Sequence, residues 1–335
     1  MRASRTGIRG SMADSSLLAL SVILAAPDRH ETIRGTIKHL RSQTVSDMLE
    51  VVIVAPSEDA LGDDDSELRA FRRYRVVEVG EISSIAQAYG AGIRQASAPV
   101  VVLAEDHSFP DDGWAGALIE AHKKPWAAVG PVVRNANPDS MVSWANFLIS
   151  YAPWLDPAPS GVANQLPGHN SSYKRAVLLD YGPALEVMLE AETVLHWDLA
   201  AKGHQLYLEP AAKTSHVNFE VFSVWMREQY HSGRVFAAAR SRRWSFRRRF
   251  LYAGAGPLIP LVRIRRIVRE LRRPGRPHHL IPAILPVLML GLALSAAGET
   301  IGYVLGAGDA AHRIRKLECR RVRHPIEGAE QQQLE

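Results

Sequence analysis

Pro99-Val100-Val101-Val102-Leu103-Ala104-Glu105-Asp106-His107 is the stretch on which the fold turns. A half-solvated strand alternates apolar and polar residues, so an unbroken apolar run after a proline predicts a strand covered on both faces. Three side chains of ligand type then follow at its carboxyl end without a spacer. Carboxylate oxygens suit hard divalent cations, and Mn2+ also accepts imidazole.

The same pattern repeats upstream. Leu17 to Ala25 is an apolar run closed by Pro27 and Asp28, and Ile33, Ile37 and Leu40 fall at helical spacing between His30 and Arg41. Leu49 to Val54 and Arg75 to Val79 predict two more strands, and Ser83 to Gln95 a helix. Alternating strands and helices predict an α/β fold with a mostly parallel sheet and helices on both faces. Such sheets bind ligands beyond the carboxyl ends of their strands, where Glu105, Asp106 and His107 stand. Downstream, Gly113 to His122 predicts a helix, Gly130-Pro131 the close of another strand, Gly168 to Arg175 a polar loop, Leu189 to Lys202 a helix and Gln205 to Leu208 a strand.

The 335 residues are 47% hydrophobic and 22% charged, enough for one large core with an appendage. One cysteine, Cys319, excludes an internal disulfide and a paired-cysteine metal site, which points to a reducing, cytoplasmic setting. The run at Leu17 to Ala26 imitates a signal peptide but reads better as a strand. The net charge of +5 hides an asymmetry: between Trp225 and Arg276 arginine recurs, opposed only by Glu228 and Glu270. Pro257 to Leu271 predicts a basic amphipathic helix of the kind that lies in a membrane interface. Leu280 to Gly298 carries no charge and approaches the roughly 17–25 residues that span a bilayer. Pro282 and Pro286 leave a shallow or re-entrant path open, and a core or dimerisation helix is the competing reading.

From Leu20 to Arg234 the sequence resembles the family 2 glycosyltransferases of GT-A fold. The resemblance is carried by the first strand and nucleotide loop through Arg29, by Thr32 to Thr44 with its closing Ser42-Gln43-Thr44, and by Ala86 to Ala96 with Ala91-Gly92-Ile93. Glu105-Asp106-His107 takes the place of the family's DXD motif, and the departure leaves open which of the three touch metal. The resemblance implies a divalent cation, Mn2+ or Mg2+, held by Glu105, Asp106, His107 and His216. It implies donor contacts at Ala26, Pro27, Asp28, Glu58, Asp106 and Arg234, and a sugar or acceptor pocket at His169, Asn170, Ser171 and Trp197. Glu192 takes the slot of the general base, with Glu190 as runner-up. Where the family has acidic residues after its second strand this chain has Ala55-Pro56-Ser57, which leaves the nucleotide base open.

The expected organisation is a tail over residues 1–15, a GT-A domain over 16–235, a basic interfacial segment over 236–276, a hydrophobic membrane segment over 277–310 and a polar tail over 311–335. The expected activity is an inverting transfer from a nucleotide-diphospho-sugar to a lipid-linked or cell-envelope glycan acceptor, membrane-associated with the active site facing the cytoplasm. Two alternatives remain: an inactive transferase-fold scaffold, and a basic nucleic-acid or membrane binder. The uncharged run beside the arginines speaks against nucleic acid as a partner.

Overall fold

The computed structural model describes residues 6–8, 18–26, 30–61 and 66–318. The strands are β1 (Thr6–Ile8), β2 (Leu20–Ala25), β3 (Leu49–Ala55), β4 (Arg73–Glu78), β5 (Val100–Ala104), β6 (Ser108–Pro110), β7 (Ala128–Asn135), β8 (Gly161–Ala163), β9 (Ser172–Lys174) and β10 (Leu206–His216). They form one sheet in the order β1-β4-β3-β2-β5-β9-β7-β10-β6, with β8 on β10. Parallel pairing joins β4, β3, β2 and β5. Beyond β5 the pairings to β9 are antiparallel, as are those of β10 with β6 and β8.

The helices are α1 (His30–Arg41), α2 (Ile85–Gln95), α3 (Trp114–Ala121), α4 (Met141–Tyr151), α5 (Arg175–Leu179), α6 (Leu185–Leu189), α7 (Glu192–Ala201), α8 (Phe222–Ser241), α9 (Phe246–Gly254), α10 (Ile259–Leu271), α11 (Ile281–Leu305) and α12 (Ala310–Glu318). Side chains alternate across the sheet, so each strand feeds two cores. Leu20, Val22 and Leu24 pack with Ile33, Ile37 and Leu40 of α1 and with Trp114 and Leu118 of α3. Ile23, Val52 and Val54 pack on the other face with Tyr89 and Ile93 of α2 and Leu195 and Leu199 of α7. Ser84 caps α2 by accepting from Gln87 N, while Ser83 N donates to Gln87 Oε1 at 2.9 Å. Gly92 lets α2 approach the sheet, because a Cβ there would collide with Ile23.

Two expectations need correction. β7 does not end at Gly130-Pro131 but continues to Asn135. Its pairing with β9 covers only Ala128 and Val129, so the missing N–H of Pro131 interrupts no bond to that neighbour. The strand expected to stop at Leu208 runs on to His216, which carries it from β8 to β6.

The chain forms two compact units, one of residues up to Arg134 with Trp154–His216, the other of Asn135–Pro153 with residues from Val217 onward. The sequence pattern drew its boundary near 235; the compact units part at His216 and assign α4 to the second. In that second unit α8, α4, α9 and α10 all pack on α11. Gly291, Gly298 and Gly302 of α11 and Gly233 of α8 line the seam. A Cβ on Gly298 would strike Tyr230 O and one on Gly233 would strike Ser295 O. α11 is long and apolar enough to cross a membrane, and 33% of its most apolar stretch is buried within the protein. The apolar face of α10 is covered toward its end, where Ile267 and Leu271 are buried against α11, while Leu261 and Val262 at its start are exposed.

Candidate functional site

The site forms where β5 ends. Tyr89 of α2 donates its hydroxyl to Ala104 O at 3.0 Å, and Thr36 of α1 donates to Glu105 O at 2.9 Å, so helices on both faces hold the turn after the strand. β6 then pairs with β10 in a register that sets His216 opposite Ser108. That register delivers His216 beside His107, with ring centroids 4.8 Å apart and nearly perpendicular. On the other side of β5, Ser172 pairs with Val102, which brings the preceding His169-Asn170 to the strand end. Asn170 adopts a left-handed backbone with φ of 62°, a conformation asparagine tolerates better than most residues, and its N–H donates to Leu103 O at 2.7 Å.

Glu105 sits at the centre, almost fully buried. Its Oε1 lies 3.3 Å from His107 Nε2 and 3.6 Å from His169 Nε2, and its Oε2 lies 3.3 Å from His216 Nε2. Asn170 Nδ2 donates to Oε2 at 3.4 Å. Burial pushes the Glu105 carboxyl upward, but the surrounding His169, His107 and His216 outweigh it and hold the group well below the usual carboxylate range. Asp106 is more open; its Oδ1 lies 2.5 Å from His107 Nδ1, which fixes that ring with Nε2 turned toward Glu105.

Glu105, His107 and His216 can each offer a ligand atom, all within 4.8 Å of one another. One carboxylate and two imidazoles match the donor set of a divalent transition ion, and the group arises from two strand ends locked by main-chain pairing. Two imidazoles in the set depart from the all-oxygen shell that Mg2+ favours.

Glu192, the first residue of α7, comes to the same place. His169 Nε2 stands 3.7 Å from Glu192 Oε1 and 3.6 Å from Glu105 Oε1, so one imidazole lies between the two carboxylates at electrostatic rather than hydrogen-bonding range. Gly168 makes room for Glu192: a Cβ there would lie 2.9 Å from its Cδ and Oε2. Behind it, burial first and then the charge of Glu192 raise the Tyr173 hydroxyl well above its usual pKa. That hydroxyl meets His196 Nε2 at 2.8 Å. Burial holds His196 neutral, its pKa pushed down to about 3.

The remaining expected residues are placed as follows. Glu190 ends α6 and is exposed. Ser171 is buried and donates to Pro167 O at 2.5 Å, so its hydroxyl serves the loop. Trp197 lies on α7, 36% exposed. Ala26 is buried and donates its N–H to Val54 O at 2.8 Å; Pro27 and Asp28 lie outside the described residues. The Glu58 N–H donates to Glu78 Oε1 at 2.6 Å. Arg234 belongs to the second unit, where its Nε donates to Gly306 O at 2.9 Å. Sequence reasoning missed Tyr89, Thr36 and Glu78. The first two sit at buried positions of α2 and α1 and the third ends a strand, where no motif singles them out.

The family model for glycosyl transferase family 2 matches residues 21–182. Among solved structures the chain is similar to GalNAc-T7 with UDP, GalNAc and Mn2+, at 13% identity and a TM-score of 0.45, over 61% of this chain and 44% of that one. It is also similar to Staphylococcus aureus TarS 1–349 in complex with UDP, at 15% identity and a TM-score of 0.42, over 85% of this chain and 91% of that one. A longer S. aureus TarS is similar at 14% identity and a TM-score of 0.41, over 85% and 55%. The chain thus spans under half the length of GalNAc-T7. No curated protein sequence matches it.

Proposed function

We propose that this chain, whose residues 21–182 match the glycosyl transferase family 2 model, transfers a sugar with inversion from a nucleotide-diphospho-sugar to a hydroxyl acceptor. The observation that carries the reading is the pair of carboxylates flanking His169, one inside the Glu105–His107–His216 cluster and the other at the start of α7. The two carboxylates have different surroundings and take different roles. Glu105, ringed by imidazoles, stays ionised as a ligand. Glu192 accepts the acceptor proton while that oxygen attacks the anomeric carbon and the bond to the diphosphate breaks, the electron pair leaving with the phosphate oxygen.

When bound, a divalent cation neutralises the charge that develops on the diphosphate. Glu105, His107 and His216 would hold it, with Asp106 orienting His107. Asn170 and His169 line the approach between the cluster and Glu192, and an amide and an imidazole suit sugar hydroxyls. A lipid-linked or cell-envelope acceptor, met at the membrane from the cytoplasmic side, is the reading that the apolar α11 and the arginine-rich helices support. The intact Glu-His-His cluster weighs against an inactive scaffold.

The test is nucleoside diphosphate release from a panel of donors with Mn2+. Glu192→Gln should lower turnover by about 10²–10⁴-fold while Mn2+ binding, read by calorimetry, is unchanged. Glu105→Gln should abolish Mn2+ binding with an unaltered circular dichroism spectrum. Wild-type turnover by Glu192→Gln would end the assignment.

A further inference from the structure

α9 presents large apolar side chains outward. Phe246, Phe250 and Leu251 recur at helical spacing and are 69%, 52% and 70% exposed. Of its arginines, Arg249 is half-buried and Arg247 and Arg248 are exposed, and Ala253 is the side chain buried against the unit. Arg249 donates to Ser241 O at 3.0 Å through Nη2, and Arg248 covers the Trp244 ring at 4.2 Å. The display continues past the turn at Gly256–Leu258, where Leu258, Leu261 and Val262 are all exposed. The same outward stripe of α10 then changes chemistry to Arg265, Arg266 and Arg269, also exposed. No acidic residue occurs between Arg242 and Arg269. Apolar side chains presented outward and edged by uncompensated arginine match one surface, a bilayer with anionic headgroups.

The packing of α11 limits how that bilayer is met. The seam glycines press α11 against the main chain of α8 from Tyr230 to Arg234. There and in the turn just before it, α8 carries Arg227, Glu228, His231 and Arg234. From the other flank Arg263 donates to Ser295 Oγ at 2.9 Å and stands 3.7 Å from Glu299. An α11 that crossed the hydrocarbon would carry these ionic side chains with it, and charge at bilayer depth is costly.

We infer that the chain is monotopic: the outward face of α9 and the start of α10 enters one anionic leaflet, the arginines bind its headgroups, and α11 is the spine of the helical unit rather than a membrane span. The inference deepens the membrane reading above. Its experiment needs neither donor nor acceptor, so failure of the transferase chemistry leaves it standing and its own failure leaves the chemistry untouched.

The full chain is sedimented with vesicles of phosphatidylcholine alone and of phosphatidylcholine with phosphatidylglycerol. Binding should require the anionic lipid and collapse at high salt. The Phe246→Ser, Phe250→Ser, Leu251→Ser triple variant should lose about tenfold or more in partitioning. Arg265→Gln and Arg266→Gln should each cost about fivefold. These positions are exposed, so circular dichroism should not change. Membranes from expressing cells should release the wild-type chain in alkaline carbonate. Retention after carbonate would establish α11 as a span and overturn the inference. So would equal binding by all variants, or capture of an RNA oligonucleotide with no affinity for anionic vesicles.

Discussion

Replacing Gly168 by alanine separates the chemistry of Glu192 from the stability of the fold. The new methyl would sit 2.9 Å from the Glu192 Cδ and Oε2 and 3.3 Å from its Cβ. That is about 0.5 Å inside ordinary contact, and the atoms struck are the end of a side chain rather than main chain. The carboxylate gives way by roughly that amount, swinging away from His169. A misplacement of 1 Å costs on the order of a hundredfold in rate, so half of it should cost about tenfold in kcat. The stability terms nearly cancel. Gly168 does not use the left-handed backbone that would strain an alanine, and the lost freedom of the unfolded chain favours alanine by about 0.4–1 kcal/mol. Mild crowding against Glu192 offsets it. The assay is steady-state nucleoside diphosphate release beside thermal unfolding and Mn2+ titration of the same sample. Gly168→Ala should lose about tenfold in kcat with Tm and Mn2+ affinity within error of wild type. An unchanged kcat would remove Glu192 from the reaction. A kcat loss tracking a large fall in Tm would make Gly168 a folding residue instead.

Further outcomes follow from the same geometry. Glu190→Gln should keep near-wild-type turnover, because Glu192 is the carboxylate facing His169, and a loss matching that of Glu192→Gln would reverse the two roles. In the second unit Gly298→Ala should lower stability by about 1–3 kcal/mol through overpacking against α8. Gly254→Ala, with nothing within 4 Å of the new methyl, should raise it by up to about 1 kcal/mol; thermal unfolding reads both signs. His122 and His196 are buried and neutral, their pKa values pushed down to about 4 and about 3, chiefly by burial. The unfolded chain therefore binds protons the folded one refuses. Stability should be fully present above about pH 6.5 and fall as pH drops toward 4, by up to about 1.4 kcal/mol per pH unit for each histidine. Urea midpoints at stepped pH measure this, and a flat profile would mean that water reaches these rings.

The parallel half of the sheet was legible because β2, β3 and β5 are largely apolar runs and α1 is amphipathic, as with Val100–Ala104 and His30–Arg41. Glu105 and His107 stood out in the sequence because ligand-type side chains crowd the end of an apolar strand, whereas Glu192 and His216 were named only through the family resemblance. Placing His216 and His169 against Glu105 depends instead on the antiparallel pairing of Ser108 with His216 and of Val102 with Ser172, to which periodicity is blind. The arginine-rich stretch misled in one respect. Its amphipathic pattern at Pro257 to Leu271 is real, but Ile267 and Leu271 pack on α11, and the side left for a membrane is the apolar face of α9 with Leu261 and Val262 at the start of α10. Pattern shows that a face is apolar and is silent on what covers it.

The pairing of Ser108 with His216 joins the proposed cation ligands, which lie far apart along the chain. Cation affinity therefore comes into being only when the last strand of the sheet docks, and the unfolded polypeptide offers the ion nothing comparable. Mass action then makes the ion a clasp on that strand: at a hundred times its dissociation constant it adds about 2.7 kcal/mol to the folded state. Chelation should loosen β10 before it unfolds the parallel strands, so the cell's supply of free cation sets how long the finished sheet stays closed.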